Sequence, residues 1–295
     1  MAEDLDRIVP LRTEGDRTPL FCVHAVSGSA YSYAGLSRVL GDDQPVYGFE
    51  APGFDNDRTP VRSLPDLAAE YTRILRAFRP EGPYRLLGWS LGGLLAFEMT
   101  KLLTAQGAAV SSLILVDAGL PVPMPLPPER DILIRFIRDM MGLSEEVPAE
   151  LTALFADWPQ DVDPQTVFEA VEKSGLLPEE LDAFVLEDQY DVFRAHLEGF
   201  YSIDVTGRHD GHSAHILAER SPAEDMDWSR QLPAAELYTV PGSTHHSIWG
   251  GDSLLTLSGI VRRTLDTESG QAFGSESGQA VGSESGQAVD TESGR

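Results

Sequence analysis

The pentapeptide Gly88-Trp89-Ser90-Leu91-Gly92 restricts what this chain can fold into more than any other feature. It ends an apolar run typical of a buried strand, residues 84–88, and leads into a helical pattern over residues 91–106. Glycines two positions before and after a serine leave room for a sharp strand-to-helix turn, in which the hydroxyl projects from the sheet. This position predicts that Ser90 is a nucleophile rather than part of a structural turn.

Short apolar runs alternate with helical patterns along the first part of the chain. The predicted strands are 20–24, 46–50, 84–88 and 113–117, and the predicted helices are 64–78 and 91–106. Strands and helices in this alternation form βαβ units and a mainly parallel sheet. Together with the serine turn, they predict an α/β fold of the α/β-hydrolase type, with helices flanking a mostly parallel central sheet.

Residues 120–205 interrupt the alternation. They begin with a proline-rich stretch and continue as amphipathic helical segments near 129–141, 164–174 and 178–201, which indicates an inserted helical lid. Strands are predicted again at 215–218 and 236–240, followed by a last helix over 253–265. One domain over residues 1–267 accounts for all these elements.

The remaining residues, 268–295, repeat a Ser/Gly/Glu-rich unit with a period of eight. This unit offers almost no apolar side chains to offset its conformational entropy. We therefore predict that residues 268–295 form a disordered tail.

Composition excludes several classes of partner. The chain carries 22 Lys and Arg against 47 Asp and Glu, a net charge of -25, so nucleic acids and anionic membrane surfaces are repelled. It has neither an apolar run of about 18 residues nor a signal-type N-terminus, so no membrane segment or export is expected and cytoplasmic location is predicted. The one cysteine, Cys22, lies in an apolar run and is predicted to be a small buried hydrophobic residue.

A serine nucleophile needs an acid and a histidine, which follow it in that order at the ends of later strands in this fold. Asp117 ends the predicted strand after the serine turn and its helix, so its carboxylate should emerge at the same sheet edge as Ser90. A turn or helix-capping aspartate is the structural alternative for this position. Asp225 and Asp227 compete for the acid role, but they lie in a polar stretch with no strand immediately before them.

The base follows the last predicted strand. Of the seven histidines, His245 and His246 come after residues 236–240 and a Pro-Gly turn, where the base should lie. The residues alone leave both candidates open.

The other histidines have structural explanations. His24 ends the first predicted strand, near the site, and His196 lies on a lid helix as a surface or packing residue. The spacing of His209, His212 and His215 could suggest a metal site, but their stretch reads as a loop that enters a strand. We therefore expect no bound metal.

The oxyanion of an acyl-transfer reaction needs backbone N–H donors placed in advance. In this fold one comes from the residue after the nucleophile and one from the loop after an early strand, which here are Leu91 and Val26. A phosphate-binding loop is the rival interpretation of residues 24–29, but neither a Lys-Ser/Thr ending nor a Gly-x-Gly-x-x-Gly pattern is present.

Several segments together resemble the C-terminal thioesterase domains of non-ribosomal peptide synthetases and related polyketide assembly lines. The resemblance covers residues 8 to 265 and is carried by Phe21-Cys22-Val23-His24, Val46 to Gly53, Pro80-Glu81-Gly82-Pro83-Tyr84, Gly88 to Gly93 and Val240 to His245. Members of this family follow the Pro-Gly turn with the catalytic histidine and then an aromatic residue. The resemblance therefore assigns the base to His245 and the aromatic place to His246, although an extra residue near Ser243-Thr244 departs from the pattern.

The resemblance implies release of a finished chain from the 4'-phosphopantetheine arm of a peptidyl or acyl carrier domain, through an acyl-Ser90 intermediate. It implies no cofactor of the protein's own, and we expect a monomeric domain. The insertion at 120–205 is long enough to enclose a substrate, which favours macrocyclisation over hydrolysis. A stand-alone editing thioesterase, a generic serine esterase and a non-catalytic interaction module are the alternatives.

Overall fold

One seven-stranded sheet forms the centre of the molecule, in the order β1-β3-β2-β4-β5-β6-β7. The computed structural model describes residues 4–54, 57–143, 148–178, 181–222 and 226–274, with backbone alone for 268–274. The strands are β1 (Ile8–Arg12), β2 (Leu20–Val23), β3 (Val46–Phe49), β4 (Tyr84–Trp89), β5 (Val110–Val116), β6 (Ser213–Ala218) and β7 (Glu236–Val240). Strand β1 pairs antiparallel with β3, and every other pairing is parallel.

Helices cover both faces of the sheet. They are α1 (Ala34–Val39), α2 (Leu64–Phe78), α3 (Leu91–Ala105), α4 (Glu129–Met140), α5 (Ala149–Ala156), α6 (Pro164–Lys173), α7 (Ala183–Ser202) and α8 (Gly251–Gly274). Alternate residues of each central strand enter two separate hydrophobic cores. Helices α2 to α7 belong to one core, whereas α1 and α8 belong to the other. Because both faces are covered, most side chains of the central strands are apolar, with Arg85, Ser111 and Ser112 as exceptions near the amino ends of β4 and β5.

The structure confirms the predicted fold class, a mostly parallel sheet with flanking helices. The six predicted strands are present with bounds shifted by a few residues, and α2 spans the predicted 64–78. Its start is stabilised by Ser63, whose hydroxyl accepts a hydrogen bond from the Asp66 N–H at 3.3 Å. Cys22 is buried in the second core, as predicted, and burial raises the pKa of its thiol.

Several elements differ from the sequence prediction, among them helix α1, which lies in a stretch for which no helix was predicted. Strand β1 was not anticipated, because it is a short antiparallel edge strand that contains Pro10. Helix α5 lies in a stretch for which no helix was predicted. Helix α7 begins at Ala183 rather than near 178, because Asp182 caps its start: Oδ1 of Asp182 accepts a hydrogen bond from the Val185 N–H at 2.9 Å.

The C-terminal helix is longer than the predicted 253–265. Helix α8 continues to Gly274, into the first residues assigned to the tail. Residues 275–295 lie outside the described residues, so the disordered tail stays a prediction there.

Among the described residues, no helix combines the length and the hydrophobicity that crossing a bilayer requires.

Candidate active site

Ser90 occupies the turn between β4 and α3 in a conformation that residues with a side chain rarely adopt, with φ 55° and ψ −127°. The turn is held by backbone hydrogen bonds: the Ser90 N–H donates to the Val116 carbonyl at 3.0 Å, and the Gly93 N–H donates to the Ser90 carbonyl at 3.0 Å. Strain of this kind persists only where the surroundings enforce it, and it clusters at functional sites.

The glycines of the pentapeptide are required by close backbone packing. A Cβ atom on Gly88 would lie 2.0 Å from the Gly92 carbonyl oxygen, and one on Gly92 would lie 2.1 Å from the Val23 carbonyl oxygen. Both obstacles are backbone atoms of the central sheet and its helix, so they cannot move aside. Helix α3 can therefore approach the sheet only when both positions lack a side chain.

We expect Gly92→Ala to destabilise the fold by about 3 kcal/mol or more, because the new methyl group must displace backbone. Gly259→Ala, on the exposed face of α8 with no atom within 4 Å of its Cβ position, is the matched control and should leave stability unchanged or slightly raised. Urea unfolding of both variants measures the difference. Equal midpoints for the two variants would contradict the packing argument.

Asp117 follows β5 directly and is fully buried, with φ 45°. Its Oδ1 accepts from the Ala218 N–H at 2.9 Å, and its Oδ2 accepts from the Ser221 hydroxyl at 2.7 Å and from His245 Nδ1 at 2.6 Å. Burial disfavours the charged carboxylate, but these hydrogen bonds outweigh it and hold the pKa of Asp117 below its usual value. The carboxylate is therefore ionised and oriented toward His245.

His245 is the histidine that contacts this carboxylate. Its side chain is 31% exposed, and its ring lies 5.0 Å from the Trp89 ring. A carboxylate accepts hydrogen bonds, so Nδ1 carries the hydrogen and Nε2 is the nitrogen able to accept a proton. Ser90 and His245 line the same two cavities.

His246 points elsewhere. Its Nε2 lies 3.6 Å from Oδ1 of Asp139 on α4, beyond hydrogen-bond distance, and its ring meets the Trp89 ring edge-on. Burial lowers the pKa of His246 to about 4 and raises the pKa of Asp139 to about 6. The geometry thus assigns the Asp117 contact to His245 and an aromatic contact to His246.

The remaining candidates lie in other surroundings. Asp227 is solvent-exposed, and its Oδ1 accepts from the Ser229 N–H at 3.0 Å. Its competitor, Asp225, lies outside the described residues. The histidine trio does not converge: His212 bonds the Thr264 carbonyl on α8 at 2.9 Å, whereas His215 lies within β6.

The residues predicted to supply the oxyanion donors come from two different segments of the chain. Val26 is in the loop after β2, Leu91 is the first residue of α3, and both line the cavity that contains Ser90. The loop is supported by His24 and His196, which are fully buried and stacked with ring centroids 4.9 Å apart. Of the two interpretations of His196, packing is therefore correct and surface exposure is wrong.

We expect these two histidines to make stability fall at acid pH. Burial, and for His24 also the neighbouring His196, lowers their pKa values to about 3 and about 4. The unfolded chain therefore binds more protons between pH 6.5 and 4, and stability decreases as the pH falls through that range, by up to about 1.4 kcal/mol per pH unit for each histidine. Melting temperatures between pH 7 and 4.5 should fall less steeply for His196→Asn than for the wild type; parallel curves would contradict this.

The larger cavity beside Ser90 has a volume of about 430 Å³ and a mainly apolar wall. The insertion supplies much of that wall, with Leu120, Val122, Met124, Leu197, Phe200 and Tyr201. A second cavity of about 370 Å³ meets the first at Val26, Ser90 and His245 and is more polar, with Arg135, Arg138 and Asp139 from α4.

Sequence reasoning missed these cavity residues and Ser221. Ser221 follows β6 at the carboxyl edge of the sheet, so its strand position was a signal that could have found it. The residues of the insertion carried no comparable signal, because helical periodicity does not tell which helix faces a cavity.

A mostly parallel seven-stranded sheet, with a strained serine between the central strand and its helix and a buried Asp–His pair at the same edge, defines the α/β-hydrolase fold. Residues 18–150 match the family model of the thioesterase domain. This match, together with the relatives described next, confirms the resemblance found in the sequence to thioesterase domains of peptide synthetases and polyketide synthases.

Part of a peptide synthase is similar in sequence to this chain. A stretch of 114 residues is 46% identical to part of a dimodular nonribosomal peptide synthase of Bacillus subtilis (strain 168), covering 39% of this chain and 5% of that protein. The chain thus corresponds to only a small part of that synthase.

Solved structures extend the likeness over most of the chain. The NocB thioesterase domain, in covalent complex with a fluorophosphonate nocardicin G analogue, is 25% identical with a TM-score of 0.60, covering 85% of this chain and 96% of that one. A four-domain nonribosomal peptide synthetase bound to AMP and glycine shares the fold at 22% identity and a TM-score of 0.73, covering 87% of this chain and 20% of that one.

Proposed function

We propose that this chain is a serine thioesterase that releases a peptide or a peptide/polyketide chain from a phosphopantetheinyl carrier domain. One observation carries the proposal: Ser90 and the Asp117-bound His245 line one cavity together with Val26 and Leu91. A nucleophile, a base held by a buried carboxylate and two N–H donors are the groups that acyl transfer requires.

In the proposed acylation step, Ser90 Oγ attacks the thioester carbonyl carbon while His245 Nε2 accepts the hydroxyl proton. The negative charge on the carbonyl oxygen is held by the Val26 and Leu91 N–H groups. Collapse of this intermediate breaks the C–S bond, and His245 returns its proton to the departing pantetheine thiol. The products are acyl-Ser90 and the free carrier arm, with Asp117 ionised throughout.

The acyl-enzyme is then resolved by a second nucleophile. Water gives a linear acid, whereas an amine or hydroxyl of the chain itself gives a macrocycle; in both cases His245 accepts the proton of the attacking group and passes it to Ser90 Oγ. The apolar wall supplied by the insertion favours cyclisation, because such a wall folds the chain back and limits access of water.

The substrate and its carrier domain are part of the same proposal. The similarity to a segment of a peptide synthase supports delivery of the acyl chain on a carrier, with no cofactor of the protein's own. The apolar cavity suits the acyl chain. The more polar cavity, which also reaches Ser90, suits the amide-rich pantetheine arm.

The test uses N-acetylcysteamine thioesters of a series of peptides with free amino termini, and mass spectrometry of the products. Release that requires Ser90 supports the thioesterase function, and a cyclic product supports cyclisation. Linear acid from every peptide would contradict cyclisation. Preferential turnover of acetyl-loaded carrier over peptidyl thioesters would instead favour an editing thioesterase.

A further inference from the structure

His24 forms a hydrogen bond with the carbonyl side of the peptide group that carries the Val26 N–H. A carbonyl oxygen can only accept, so His24 Nδ1 carries the hydrogen and donates it to the Ala25 carbonyl at 2.8 Å. The Ala25 carbonyl and the Val26 N–H belong to one planar trans peptide, so they point in opposite directions. The same carbonyl also accepts from the Gly28 N–H at 3.1 Å. This peptide plane is therefore pinned on its carbonyl side.

The next peptide group is held from the insertion. His196, on α7, donates through Nδ1 to the Val26 carbonyl at 2.8 Å, across 170 positions of sequence. The two imidazole rings are nearly parallel, with an interplanar angle of 16°, and Tyr71 lies 2.6 Å from the far nitrogen of His24. Both peptide planes that flank the Val26 α-carbon are thus fixed by buried neutral histidines.

Close packing keeps α7 against this loop. A Cβ atom on Gly28 would lie 2.8 Å from Cγ1 of Val192, which is one helical turn before His196. Gly28 has φ 92° and its carbonyl accepts from the Ala51 N–H at 2.9 Å, so the loop cannot retreat from the helix. Because His196 is hydrogen-bonded to the Val26 carbonyl, a displacement of α7 would also displace that carbonyl.

We propose that His196 is a positioning residue that couples helix α7 of the insertion to the Val26 N–H, so that the insertion itself sets the geometry of the oxyanion site. The inference rests on the proposed function, in which that N–H binds the oxyanion. Among the described residues the Val26 N–H has no acceptor, as expected of a donor kept for substrate. A hydrogen bond on each neighbouring carbonyl also polarises the backbone, which strengthens the donor.

Three substitutions separate positioning from packing. His196→Asn keeps a donor near the place of Nδ1, His196→Gln moves the donor toward the place of Nε2, and His196→Leu removes it. The control is His209→Leu, which also replaces a buried histidine but lies before β6, at the opposite edge of the sheet. Each is assayed with hexanoyl-N-acetylcysteamine thioester and by the rate of fluorophosphonate labelling, with melting temperature measured alongside.

Loss of an oxyanion donor lowers kcat by roughly 100- to 1,000-fold, and misalignment should cost a part of this. We expect His196→Leu and His196→Gln to lower kcat about tenfold or more with KM within twofold, and His196→Asn to recover most of kcat. Labelling rates should follow kcat, and His209→Leu should lower only the melting temperature.

Equal kcat values for His196→Asn and His196→Gln would overturn the inference, and this comparison remains decisive if His196→Leu does not fold. If the wild type shows Ser90-dependent turnover but the His196 variants do not differ from one another in kcat, the positioning role alone is overturned and the proposed function stands. A wild-type protein that neither turns over the thioester nor reacts with the fluorophosphonate overturns the proposed function and the inference together.

Discussion

Ser90→Ala should lower thioester turnover by roughly 10⁴- to 10⁶-fold, because the acyl-enzyme can no longer form. The substitution removes one oxygen at a half-buried position and leaves the backbone contacts of the turn in place, so the melting temperature should stay close to that of the wild type. Intact-protein mass spectrometry after fluorophosphonate treatment gives a second measurement. The wild type should gain one adduct and the variant none.

Ser111→Ala is the matched control for this prediction. Ser111 lies near the amino end of β5, at the sheet edge opposite Ser90, and its hydroxyl donates to the Tyr84 carbonyl at 3.3 Å. It should keep both turnover and labelling. An adduct on Ser90→Ala, or turnover within tenfold of the wild type, would exclude Ser90 as the nucleophile.

The second large effect concerns the adjacent histidines. His245→Ala should lower kcat by roughly 10⁴- to 10⁶-fold, because Ser90 then has no base and Asp117 loses its partner. His246→Ala removes the same imidazole ring from the next position, where it packs against Trp89 and faces Asp139 instead of Asp117. Its effect should therefore be a loss of stability and at most about a tenfold loss of kcat. Steady-state kinetics of the purified pair measures the contrast.

The contrast decides between the two candidates, since the variants differ by one position in the same loop. If His246→Ala were the inactive variant and His245→Ala retained turnover, the base would be His246 and the Asp117 contact would be structural. Comparable losses in both variants would mean that the loop, rather than one imidazole, carries the effect.

Much of the site could be predicted because of one property of parallel sheets. The carboxyl ends of neighbouring parallel strands meet at one edge, so residues that follow predicted strands are brought together by topology alone. Ser90, Asp117 and His245 follow β4, β5 and β7, and the structure places all three around one cavity. Their roles remain predictions until the variants are measured.

The insertion could not be treated in the same way. Helical periodicity predicted most of its helices, but periodicity gives only the apolar face and not the partner of that face. The approach of Asp139 to His246, the cavity wall at Phe200 and the contact of His196 with Val26 each depend on how α4 and α7 pack onto the sheet.

The amino-acid sequence by itself determined the fold class and the serine turn, because both depend on local requirements. Ser90 can adopt its strained conformation only where Gly88 and Gly92 leave no Cβ atoms to collide with backbone, and that requirement is visible in five consecutive residues. The residues of the sequence, apart from the family resemblance, left both His245 and His246 open, and the tertiary structure decided that His245 contacts Asp117 and that His196 is buried against the Val26 carbonyl. Those contacts join residues more than 100 positions apart, and their distances follow from the packing of whole elements rather than from any local pattern.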